Sequence, residues 1–112
     1  MPIPTKAASP NQAMTVITLM PEQTIRDIDT LHAELLAGLD AKAGVRLAAA
    51  ELVQVDTATV QLLCAFMLES RQREVEVEWD TPSETLLLTA RLLGVSEVLA
   101  LERPSSVIGL AP

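Results

Sequence analysis

The chain has 112 residues, 49% of them hydrophobic and 21% charged, and carries a formal net charge of −7. That length holds one domain with ample material for a core, and the composition excludes a disordered chain. The acidic balance excludes a nucleic-acid binder, which needs a basic face to neutralise phosphates, and it excludes charge-driven docking on anionic lipid.

Residues 1–12 are Pro, Ala, Ser, Asn and Gln with one Lys. They are expected to form a disordered leader, and they lack the apolar segment of a signal peptide. Residues 14–20 (MTVITLM) mix β-branched and apolar side chains and predict a strand. Pro21 ends it, since proline donates nothing to a ladder.

Residues 24–40 carry a helical period. Ile25, Ile28, Leu31, Leu35, Leu36 and Leu39 fall on one face, with Asp27, Asp29, His32 and Glu34 mainly on the others. Thr24 or Asp27 is the expected cap. Gly44, in the turn after the helix, suits a position of positive φ. His32, the single histidine, has no partner nucleophile in view and is read as a solvated helix position.

Residues 45–49 (VRLAA) predict a second strand. Residues 50–55, with Leu52, Val53 and Val55 apolar, read as strand or loop and lead to Asp56-Thr57, and a densely apolar helix follows to about Gln72. Asp and Thr begin helices because their side-chain oxygens accept the unpaired N–H groups of the first turn. Val60, Leu63, Cys64 and Met67 share one face, with Leu62 and Phe66 on its flank. The arc is wide enough either to be deeply buried or to offer part of itself to a partner. Cys64 is the single cysteine, so an intrachain disulfide is impossible and a reducing cytoplasm is the expected setting. Its place inside the apolar run makes it a small core residue and not a reactive thiol. The apolar run of residues 62–68 is far shorter than the roughly 20 residues that span a bilayer.

Residues 74–80 (EVEVEWD) alternate. Val75, Val77 and Trp79 point one way, and Glu74, Glu76, Glu78 and Asp80 the other. This predicts a half-buried strand whose acids are solvated and deter edge-to-edge pairing. Thr81-Pro82-Ser83-Glu84 starts a helix in which Leu86, Leu87, Ala90 and Leu93 repeat and which Gly94 closes. Residues 96–101 form a short final element, and residues 103–112 a tail. The domain is thus expected over residues 13–102. The order strand, helix, strand, helix, strand, helix predicts an α/β fold: a small, mostly parallel sheet with helices packed on it and right-handed crossovers.

No nucleophile–base pair, metal-ligand set or glycine-rich phosphate loop is visible, so neither an enzyme nor a cofactor is expected. One Cys and one His assemble no metal cluster.

The apolar lead-in, Asp56-Thr57-Ala58-Thr59-Val60-Gln61-Leu62-Leu63, the following strand, the Thr-Pro-Ser turn and the closing Leu92-Leu93-Gly94-Val95 together resemble the STAS domain family. This family is named for sulfate transporters and anti-sigma factor antagonists. The resemblance covers roughly residues 14–101. It implies a STAS-like fold, with a sheet bearing helices on one side and a switch residue at a helix N-terminus. In the bacterial anti-sigma factor antagonists, the Ser or Thr after the Asp is phosphorylated by a partner kinase; the position corresponds to Thr57. The unmodified form binds the kinase or anti-sigma factor, and phosphorylation releases it. The resemblance thus implies a cytoplasmic partner-switching protein whose partner-binding residues are Asp56, Thr57, Ala58, Thr59, Leu62 and Phe66. The Asp-Thr-Ala-x-x-Gln-Leu-Leu wording is also similar to STAS proteins of chemotaxis signalling. Two positions depart from the family pattern: Thr59 stands where glycine is common, and Ala48 where an Asp or Asn often ends the preceding strand. A second class of single-domain STAS protein implies a different role, a constitutive subunit bound to the ATPase of a bacterial lipid-transport ABC system.

Overall fold

The first strand sets the pattern of the sheet. In β1 (Thr15–Thr18), Ile17 is buried while Val16 and Thr18 face solvent. A computed structural model describes residues 14–101 of the chain. The expected leader 1–12, the tail 103–112 and the domain limits at 13 and 102 lie outside the described residues.

β1 is shorter than the expected strand 14–20. The Leu19 N–H still reaches the Ala48 carbonyl at 2.8 Å, but the Met20 N–H turns to Gln23 Oε1 at 2.8 Å, and Pro21 has no N–H to give. The chain then forms β2 (Glu22–Gln23), which pairs in parallel with β4 (Gln54–Val55) as a separate two-stranded sheet. The apolar stretch before Asp56 reads as strand or loop, and β4 takes up only its last two residues. Strands of two residues are too short for alternation to reveal them.

The expected helix over 24–40 is two pieces. A 3-10 turn (Ile25–Asp27) precedes α1 (Ile28–Ala41). Thr24 caps the 3-10 turn, its Oγ1 accepting the Arg26 N–H at 3.4 Å, whereas Asp27 makes no capping bond to α1. The tighter turn rotates Ile25 off the buried stripe, so it is 61% exposed, and Leu36 at the stripe's edge is 39% exposed. Leu31, Leu35 and Leu39 are buried as expected. The helix leaves through two positive-φ residues, Lys42 (φ 61°) and the anticipated Gly44 (φ 98°).

β3 (Val45–Ala48) is the central strand, flanked in parallel by β1 and by β5 (Val77–Asp80). Between them runs α2 (Thr57–Gln72). The expected strand 74–80 begins only at Val77, because residues 73–75 finish α2. Glu74 takes φ 59°, and the Val75 N–H reaches back to the Ser70 carbonyl at 2.9 Å, the bond that closes a helix through a left-handed residue. Across the sheet, Arg46 and Glu78 stand in register on the outward face, and Arg46 Nε donates to Glu78 Oε2 at 2.8 Å.

α3 (Glu84–Leu92) starts where Ser83 Oγ accepts the Leu86 N–H at 3.1 Å and stops at Gly94 (φ 74°). Residues 96–100 form turns, fastened by Trp79 Nε1–H to the Leu99 carbonyl at 2.8 Å and by Arg71 to the Val98 carbonyl at 2.8 Å. Among the described residues the architecture is therefore α/β, with a three-stranded parallel sheet, a two-stranded one and three helices. Ile17 and Leu47 of the sheet, Leu35 and Leu39 of α1, Leu63 and Phe66 of α2 and Leu86 of α3 share one core. No helix of the described residues is long and apolar enough to cross a membrane.

Candidate functional site

The junction of β4 and α2 brings together segments far apart in the chain. Asp56 is extended (φ −102°, ψ 171°) and occupies the N-cap of α2. Its Oδ1 accepts the Thr59 N–H at 3.0 Å, the expected local cap. Its Oδ2 accepts the Ile25 N–H at 2.8 Å from the 3-10 turn before α1. One carboxylate therefore satisfies orphan donors at the starts of two helices.

These contacts hold the Asp56 carboxyl below its ordinary value. The Thr59 hydroxyl is the largest cause, followed by the N–H groups of Thr59 and Ile25, working against partial desolvation. The same hydroxyl meets no partner at hydrogen-bond geometry and is buried. Both observations fit a hydroxyl within electrostatic reach of the carboxylate but not bonded to it. Thr59 Oγ1 is an unpaired buried polar atom.

Thr57 is the first residue of α2 and is exposed, at the end of a 16-residue helix whose N–H groups and dipole favour negative charge. Asp56 and Ala58 beside it are half-buried. Two of the expected partner-binding residues are corrected by their burial: Thr59 is fully buried and Phe66 is 4% exposed. Thr59 is turned into the core by the first turn of the helix. Phe66 lies nine residues from Thr57, about 13.5 Å along the axis, and fills the core from the far half of α2.

Leu62 is half-buried and belongs with Phe66 to a different feature, a groove of about 230 Å³ between α1 and α2. Leu36, Leu39 and Ala65 line it, with the exposed His32 at its rim. Arg73 closes one end, donating to Asp40 Oδ1 and Glu69 Oε2, each at 2.9 Å. Those two carboxylates, Asp40 first, raise the Arg73 pKa. The site thus divides: residues 56–58 form its surface, and Leu62 and Phe66 face a separate groove.

Two exposed apolar residues at the junction were not expected there. Ile25, bonded through its N–H to Asp56, is 61% exposed, and Val53, just before β4, is 66% exposed. Ile25 fits the apolar stripe of the following helix, so its period argued for burial. The buried Leu52 beside Val53 gives the only local signal, a single step of alternation.

Cys64 is half-buried, and burial pushes its thiol pKa up. Of the acids in residues 74–80, Glu78 is paired with Arg46 at the sheet face. Among the described residues, no group of three or more His, Cys, Asp or Glu side chains is placed to hold a metal ion. No family model, no curated protein and no solved structure matches the chain.

Proposed function

We propose that this protein is a non-catalytic regulatory module of the STAS type, which exchanges protein partners according to the phosphorylation of Thr57. The observation that carries this reading is the exposed Thr57 hydroxyl at the first position of α2, beside a capping carboxylate. Unmodified, it offers a partner a small neutral group. A phosphate adds about −1.5 to −2 charges, which a helix N-terminus tolerates. Two donors of this junction, the Thr59 and Ile25 N–H groups, are already held by Asp56. The added charge therefore stays at the surface, next to a carboxylate. A partner that meets Thr57 with apolar or acidic groups loses affinity by orders of magnitude without any refolding of the domain.

The burial of Thr59 supports this reading. The Cβ that replaces the family's common glycine lies within the core, away from an approaching partner backbone. The partner class is a kinase or anti-sigma-like protein, or a chemosensory protein, in the cytoplasm.

The test is capture of partners from the native cell by wild type, Thr57→Ala and Thr57→Glu, with Thr57 examined for phosphate by mass spectrometry. A partner kept by the alanine variant and lost by the glutamate variant, with phosphate on Thr57 in the wild type, is the expected result. A transporter ATPase held equally by all three, with Thr57 unmodified, overturns the switch and assigns the protein to the constitutive subunits of lipid-transport systems.

A further inference from the structure

α3 shows solvent an apolar ridge. The helix buries Leu86 and Ala90. Leu88 lies two residues from each, about 200° around the axis, and so points away from the core. Leu88 is 51% exposed and Leu92, one turn on, is 76% exposed, the highest value among the large hydrophobic residues of the described surface. Residues four apart are neighbours on a helix, so the two form one ridge. Leucines exposed singly are ordinary, whereas these two stand together within a frame of charges.

The frame is self-complementary. Glu84 stands one turn before Leu88, and Arg91 seven residues after Glu84, close to two full turns, so both edge the same stripe. Both are exposed, and neither joins a salt bridge among the described residues. We propose that this ridge docks on the same ridge of a second copy of the chain, with the two α3 helices antiparallel. A two-fold axis near Leu88 sets the Leu88 side chains of the two copies against each other, with each Leu92 one turn outward, at the edge of the contact. It also sets Glu84 of each copy beside Arg91 of the other, the reciprocity an isologous interface requires. A parallel pair would set like charges together. The ridge contains none of residues 56–58 and does not depend on the proposed switch. A nine-residue helix supplies less than the roughly 1,200 Å² of a stable complex, so the association is weak and appears only at high protein concentration.

Sedimentation of the full chain over a concentration series tests this. Wild type is expected to dimerise as concentration rises. Glu84→Arg alone and Arg91→Glu alone each weaken the dimer at least tenfold, because each sets two like-charged pairs across the axis. An equal mixture of these two variants associates again, since both pairs are then opposite. Leu88→Asp weakens the dimer with an unchanged far-UV circular dichroism spectrum. A wild type that stays monomeric throughout, for instance because its own terminal segments cover the ridge, overturns the proposal. So does a dimer that withstands Leu88→Asp and both charge reversals.

Discussion

The Asp56 carboxylate accepts the Ile25 N–H at 2.8 Å across 31 residues of chain, while its other oxygen caps its own helix at Thr59. The start of α2 and the turn before α1 are therefore fastened by one side chain. Replacing it removes two bonds at once. Asp56→Ala is expected to lower stability by about 2 kcal/mol in urea unfolding, the sum of a lost cap and a lost charge-assisted bond. Ser83→Ala, a cap with a single partner, costs about 1 kcal/mol. Hydrogen exchange separates them: only the Asp56 variant loses protection at the Ile25 amide.

The pH dependence follows from the same carboxylate. Folding holds the Asp56 pKa below its ordinary value. Its contribution is thus fully present above the unfolded aspartate value of about 3.9 and is lost as pH falls through the folded value. The stability gap between wild type and Asp56→Asn is expected to be constant from pH 5 to 7, to begin closing near about pH 4 and to keep closing below it. A gap that widens on acidification would contradict the assigned direction.

Thr59→Val replaces a buried hydroxyl that has no partner with a methyl group. Removing an unpaired buried hydroxyl is neutral to stabilising, whereas losing its support of the ionised Asp56 is destabilising above about pH 4, so the net change at pH 7 is expected to lie within about 1 kcal/mol of zero. The same change removes the largest influence on Asp56, so the Asp56 pKa, followed by NMR titration, is expected to move up toward its ordinary value. A loss of more than about 1 kcal/mol would mean that the hydroxyl is paired after all.

Gly38 is a point of close approach between α1 and the sheet. A Cβ there would stand 2.8 Å from Val45 Cγ2, and Val45 is fully buried in the central strand. Helix propensity favours Gly38→Ala by about 1 kcal/mol, but overpacking a core costs about 1–3 kcal/mol. The net expectation is a loss of about 1 kcal/mol in chemical unfolding. Valine is short and β-branched, and it has no room to yield. Trimming it with Val45→Ala is expected to cost less in the Gly38→Ala background than in wild type, and additive losses would show that the two residues do not meet.

Much of this protein follows from period and cap chemistry. The alternation in EVEVEWD, the apolar stripe led by Leu31 and Leu35, and the cap residues Asp56 and Ser83 are local signals. Each depends on neighbours within one or two turns. They place the three helices of the described residues, the three strands of the larger sheet and the N-terminus of α2. Contacts between distant segments carry no such signal. The two-residue strands β2 and β4 exist because the Pro21 carbonyl takes the N–H groups of Val53 and Gln54 at 2.8 and 2.9 Å. The 3-10 turn that exposes Ile25 is stitched to Asp56, 31 positions on. Thr59 and Phe66 look available on a helical wheel, and only the packing of α2 into the core closes them off. A helix's period states which residues are apolar, but the number of neighbours that cover its arc is decided by the rest of the chain. For the same reason the sequence named Thr57 as a helix start, and only the tertiary structure left it exposed above a carboxylate shared by two helices.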